Sequence, residues 1–213
     1  MDFLPSLPTF LAFAAATLLL AATPGPDMTL SISRALAQGK KAALFVVIGT
    51  SLGIVVHTTL VAFGISALIT ASPTAFLILK TGGAAYLLWL ALQAIRLGSK
   101  LTVAKVEEQK GTPLSNISSG FWVNLLNPKV IIFFMTFLPQ FVSAGDPAVT
   151  HKLLFLGFCF IVIGMPVNAG VIFTADWLAS WLQNNKKVLR GMDYTFAGVF
   201  SVFAAKILLT QAK

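Results

Sequence analysis

Six apolar stretches, near residues 7–22, 42–69, 75–97, 120–142, 153–179 and 192–210, take up most of this 213-residue chain. Each is close to the roughly 20 residues that an α-helix needs to cross about 30 Å of hydrocarbon. A backbone in lipid must pair its own N–H and C=O groups, so these stretches are read as transmembrane helices. Composition leaves no soluble alternative: 57% of the residues are hydrophobic and 10% are charged, too little polar surface for a water-facing globule. The expected fold is an all-α integral membrane protein with about six spans. No Lys or Arg precedes Arg34, so the first stretch lacks the basic start of a cleavable signal peptide and is expected to be retained.

The net charge of +8 comes from basic residues scattered between the apolar stretches, a topology signal and not a nucleic-acid surface. Arg34, Lys40 and Lys41 follow the first stretch; Arg96, Lys100, Lys105 and Lys110 follow the third; Lys186, Lys187 and Arg190 follow the fifth. The other connections hold little beyond Lys152 and the nearby Lys80. The basic connections are therefore expected on the cytoplasmic side and both termini outside. Residues 98–119 read as the one long hydrophilic loop, and Trp122, Trp177 and Trp181 as interfacial anchors. A lone cysteine, Cys159, excludes an internal disulfide. Together with His57 and His151 it lacks metal-ligand spacing, and no catalytic triad or phosphate loop is found. Neither an enzyme nor a cofactor is expected.

The two halves of the chain agree in kind. Each opens with a span that proline interrupts, at Pro24-Gly25-Pro26-Asp27 and at Asn127-Pro128-Lys129. Each continues with a helix in which a polar residue stands four after a glycine, His57 after Gly53 and Asn168 after Gly164. Gly82-Gly83 and Gly198 open the third helix of each half. Three spans per half is an odd number, so the second copy must insert upside down and give inverted repeats. The chain is thus expected to form one transmembrane domain over residues 1–213, with repeat one at about 1–97, a loop at about 98–119 and repeat two at about 120–213.

A helix break at membrane depth frees backbone groups that only protein or a water-filled cavity can satisfy, so each break points to a site. After the first, Asp27, Ser31 and Arg34 share one face of a new helix and Met28, Ile32 and Ala35 another, with the polar face expected inward. After the second, Lys129, Thr136 and Gln140, at i, i+7 and i+11, likewise share one helical face. Two charges at matching breaks call for mutual pairing or a ligand, because each costs about 2.5–3.5 kcal/mol at the bilayer centre. Plainer roles stay open: Asp27 as a helix cap, Arg34 as a headgroup anchor, Lys129 snorkelling, and His57 and Asn168 as interhelical hydrogen-bonding residues. The Gly49-xxx-Gly53 pair is read as a close helix contact.

These residues also carry a resemblance. The PGPD run at Pro24–Asp27, the Gln38-Gly39-Lys40-Lys41 turn, the stretch from Gly120 through Asn127-Pro128-Lys129, and Phe137-Leu138-Pro139-Gln140-Phe141 resemble the lysine-exporter (LysE/RhtB) family of bacterial amino-acid exporters. The resemblance covers nearly the whole chain and is nearest to the homoserine, threonine and leucine exporter branch. It implies a multi-pass inner-membrane exporter of a small neutral amino acid or derivative, driven by the proton gradient, with five or six spans. Its expected partners are the amino-acid substrate, protons and the lipid bilayer, without nucleic acid; homo-oligomerisation is left open. An exporter of a basic amino acid and a non-transporting subunit of a membrane assembly remain as alternatives. The expected substrate site lies between the breaks and draws on Pro24, Gly25, Pro26, Asp27, Ser31, Asn127, Pro128, Lys129, Gln140, His57 and Asn168, with Asp27 facing the ammonium group and Lys129 the carboxylate.

Overall fold

A computed structural model describes residues 4–97, 111–143 and 146–211. Among them are nine α-helices and no strand. Helix α1 (Leu7–Ala22) is capped by the Ser6 hydroxyl and stops before Pro24. Helix α2 (Pro26–Gln38) starts with proline at its first position, where a missing N–H costs nothing. The two form a span bent by 51° at the Pro24-Gly25 break. Gly39, at φ 87°, turns the chain directly from α2 into α3 (Lys40–Ala71), and α4 (Pro73–Leu97) follows.

In the second half, α5 (Pro113–Leu125) and α6 (Pro128–Ile132) form a second bent span, with an angle of 55° at Asn127-Pro128. The chain beyond α6 widens into a π-turn at Phe133–Phe137 and tightens into a 3-10 turn at Leu138–Phe141 around Pro139. Then come α7 (Val149–Phe173), α8 (Ala175–Asn184) and α9 (Lys186–Gln211). The unbroken helices α3, α4 and α7 are long and apolar enough to cross a membrane, and the two bent pairs bring the number to five. Helix α9, 26 residues long, stands where the sixth span is expected and packs along α4.

Two readings of the sequence are corrected. Residues 113–119 belong to α5 and not to a loop: Thr112 caps the helix by accepting from the Ser115 N–H, and Pro113 occupies its first turn. The rest of that loop, 98–110 with Lys100, Lys105 and Lys110, lies outside the described residues. The fifth apolar stretch is also two helices, because Thr174 ends α7 and starts α8.

The contact between α3 and α5 is the most intimate in the fold, as the Gly49-xxx-Gly53 pair suggests. A Cβ on Gly49 would collide with the Ile117 backbone carbonyl, one on Gly120 with that of Val46, and one on Gly53 would stand 2.5 Å from Asn124 Oδ1. Without side chains at these points the two backbones nearly touch. Around them an aromatic core joins α1, the π-turn, α7 and α9. Phe133 packs on Phe137 at 4.6 Å and on Phe160 at 5.3 Å, and Phe196 on Phe200 at 4.3 Å between ring centroids. Leu60, Phe63, Ile78, Phe158 and Val202 point outward, as lipid-facing side chains do.

The ends of α2, α4 and α7 and the starts of α3, α5 and α9 meet at one end of the molecule. Asn116 at the start of α5 donates to Gln38 Oε1 at the end of α2 (3.1 Å), Lys40 lies over the Phe173 ring at the end of α7, and Arg190 at the start of α9 donates to the Ala94 carbonyl near the end of α4. At the other end Ser66 of α3 bonds Thr150 of α7 at 2.6 Å, and Asp146 pairs with Lys152.

Candidate functional site

The first break determines where Lys129 goes. Leu20 would ordinarily accept from the N–H four residues on, but that residue is Pro24 and has none. Thr23, the last residue before the break, leaves its carbonyl free as well. Lys129 reaches across from α6 and donates to both, to Leu20 O at 2.8 Å and to Thr23 O at 2.7 Å. An ammonium at the C-terminus of α1 also faces the negative end of that helix dipole. Two charge-assisted bonds of about 1.5–3 kcal/mol each are enough to offset the cost of a lysine at membrane depth.

Asp27 stands on the far side of the same break, in the first turn of α2, where a carboxylate suits the positive end of the helix. Its Oδ2 accepts from Asn124 Nδ2 at 2.9 Å, and the Asn127 side chain also bears on the carboxylate, while Oδ1 is buried with no partner at hydrogen-bond geometry. The helix start itself lacks a side-chain cap. The second break differs: Asn127 Oδ1 accepts from the Lys129 N–H at 3.0 Å and so closes the start of α6. The two breaks are alike in bend and unlike in capping.

Between them lies a cavity of about 80 Å³. A single water needs roughly 10–15 Å³ on the same measure, so there is room for several waters or a small polar ligand. Asp27, Lys129, Asn124, Asn127 and Asn168 bring polar groups to the wall, and Ile54, Phe160 and Met165 bring apolar ones. Its charged lining residues are one acid and one base, with no ion pair between them. Among the described residues the ion pair found is Asp146–Lys152. The direct Asp27–Lys129 pairing expected from sequence is thus replaced by partners that each charge finds nearer to hand: backbone carbonyls for Lys129 and a side-chain amide for Asp27.

The sequence model of the LysE type translocator family matches residues 18–211, so it takes in both breaks and every helix from the end of α1 onward. The chain belongs to that family. A homoserine/homoserine lactone efflux protein of Salmonella typhimurium is 29% identical over 202 residues, covering 95% of this chain and 96% of its own. An uncharacterized membrane protein of Vibrio cholerae is 31% identical over 206 residues, 96% of this chain and 97% of its own. A leucine efflux protein of Klebsiella pneumoniae is 24% identical over 210 residues, 95% and 96% of the two chains. No solved structure matches the chain.

In this LysE type translocator the residues singled out from sequence fall into three groups. Gly25, Asp27, Asn127, Lys129 and Asn168 line the cavity, with Asn168 also bonded to the Gly164 carbonyl at 3.1 Å. Pro24, Pro26 and Pro128 shape the breaks without lining it, and His57 stands one residue behind the wall, its Nε2 3.5 Å from Asn124 O. Ser31 and Gln140 do not line the cavity. Ser31 is buried deeper along α2, and Gln140 donates to the Thr136 carbonyl at 2.8 Å, because the π- and 3-10 turns rotate it off the face that a regular helix would have shared with Lys129. The polar face of α2 is not its only inward face either: Met28 and Ile32 pack on Val171, Ala175 and Ala179, since α8 covers them. Sequence reasoning missed Asn124, Thr23 and the Leu20 carbonyl. The signal for Asn124 was present, a polar residue three before Asn127 in an otherwise apolar run.

Proposed function

We propose that this translocator exports a small neutral amino acid or derivative, of the homoserine, threonine or leucine type, from the bacterial cytoplasm across the inner membrane in exchange for protons. The observation that carries the reading is the cavity between the breaks, with Asp27 on one wall, Lys129 on another and neither charge cancelled by the other. A zwitterion needs one partner of each sign. The free Asp27 oxygen is suited to an ammonium group, and the uncapped start of α2 with the remaining Lys129 N–H to a carboxylate. A basic amino acid would ask for a second acid, and the lining residues hold Asp27 alone. The relatives named for homoserine and leucine efflux support a neutral substrate.

Alternating access is assigned to two inverted repeats, residues 1–97 and 120–213, moving against each other about the breaks. The energetics suffice. One charge crossing about 100 mV releases roughly 2.3 kcal/mol, and each tenfold gradient needs about 1.4 kcal/mol, so one proton sustains a gradient of about 40-fold. The test is release of labelled homoserine, threonine, leucine and lysine from proteoliposomes under an imposed proton gradient. Release of a neutral amino acid that stops when gradient and potential are both collapsed is the expected result. Release of lysine alone refutes the neutral substrate, and release indifferent to the gradient refutes proton antiport.

A further inference from the structure

Asn124 is 2% exposed, and its amide nitrogen, amide oxygen and carbonyl oxygen each face a different helix or residue of the site. Its Nδ2 donates to Asp27 Oδ2 at 2.9 Å, and a carboxylate can only accept, which settles which end of the amide points there. Its Oδ1 is buried without a partner and lies against the bare backbone of Gly53, where a Cβ would come within 2.5 Å. Its carbonyl oxygen faces His57 Nε2. Position 124 thus ties α2, α3 and α5 together at one residue. Leaving one half of a buried amide unsatisfied is costly, so the arrangement is not what packing alone would select.

We propose that Asn124 is a positioning residue, holding Oδ2 of Asp27 so that Oδ1 stays free to accept, in alternation, the ammonium group of the substrate and the exchanged proton. This rests on the exporter reading above. With Oδ2 engaged, one oxygen serves both ligands, and competition for it makes the occupancies exclusive. Of the ionisable groups on elements packed against α2, Lys129 of α6 and His57 of α3 bear on Asp27. Asp176 of α8 and Lys40 and Lys41 of α3 are exposed at the helix ends, and Cys159 of α7 lies in the apolar core.

The test follows Asp27 itself. A carbodiimide reacts with a carboxyl in its protonated form, and mass spectrometry of the peptide carrying Asp27 reads the labelling midpoint against pH in the purified full-length protein. Asn124→Asp keeps the shape and replaces a donor by a second carboxylate; Asn124→Ala removes the hold; Gly53→Ala presses on the amide and leaves both groups in place. Losing a hydrogen bond to the ionised form, or gaining a like charge, favours protonation, so the midpoints should move to higher pH, by about one unit or more in Asn124→Asp. Homoserine and leucine should protect wild-type Asp27 from labelling better than they protect Asn124→Ala. Unchanged midpoints in the variants that insert in wild-type amount overturn the role of Asn124, even with wild-type export intact. Shifted midpoints in a protein that moves no amino acid leave Asn124's hold on Asp27 standing and refute the exporter reading together with the alternation that rests on it.

Discussion

Lys129 does two things at once: it satisfies the carbonyls that Pro24 and the break leave open, and it brings a positive charge to the cavity. Lys129→Met should therefore abolish export and also lower stability, by about 1–3 kcal/mol for each carbonyl left unpaired, read as a lower unfolding temperature in detergent. Asp27→Asn should abolish proton-dependent export and leave stability near wild type, since the amide still bonds Asn124. The double variant should lose no more export than either single one if the two act as a unit. Outside the membrane, Asp146 follows a different rule. Burial would raise its pKa from 3.8, but the hydrogen bond from Lys152, that from the Ala148 N–H and the Lys152 charge more than offset this and hold it low. A carboxylate depressed in the folded state stabilises above its unfolded pKa and loses that contribution as pH falls through the folded value. Asp146→Asn should consequently destabilise the fold at pH 7, and the difference from wild type should vanish as pH falls through the depressed folded value of Asp146, read from thermal unfolding against pH. At this scale Asp27 and Lys129 were legible because a charge in an apolar run has to be explained. Their partners were not, because the reach of a lysine to a carbonyl more than a hundred residues earlier leaves no trace in local pattern.

The element contacts turn on glycines, and not all of them matter equally. Gly49→Ala and Gly120→Ala each drive a methyl group into a facing backbone carbonyl, which cannot move aside as a side chain can. Each should cost about 1–3 kcal/mol, checked by thermal unfolding and by the yield of inserted protein. Gly82→Ala and Gly198→Ala meet open space and should leave the same measurements unchanged. The helices themselves were largely readable: proline breaks and apolar length placed α1, the two bends and the cores of α3, α4 and α7. The first half of α5 was not. Its buried face is the stripe Asn116, Gly120 and Asn124, spaced by four and made of polar or small residues, so an eye tuned to apolar periodicity sees a loop. The Phe133–Phe137 π-turn was equally hidden, since nothing in five residues of that kind distinguishes it from an α-turn; it is why Gln140 left the expected face.

For the molecule as a whole, Gln38, Lys40, Ala94 and Arg190 cluster at one end, the end that loop charge assigns to the cytoplasm. With Cys159 replaced by Ser, Asn185→Cys should resist a membrane-impermeant thiol reagent applied from outside, and Ser143→Cys, at an exposed position before α7, should react. The opposite pattern would reverse the orientation of the exporter, and reaction at both would mean that α7, which lies between the two positions, does not cross the membrane. Inverted repeats were inferred from the count of spans alone; the two bends, of 51° and 55°, are alike in size. One joint sets how such a movement would reach the substrate. Gly39 is the sole residue between α2 and α3, and its φ of 87° with ψ 165° lies in a region essentially restricted to glycine. Helix α2 is then a stiff arm fixed at its far end, with Asp27 about 18 Å from the fulcrum at 1.5 Å per residue. A swing of only about ten degrees would carry the carboxylate some 3 Å, about the length of the hydrogen bond that holds it.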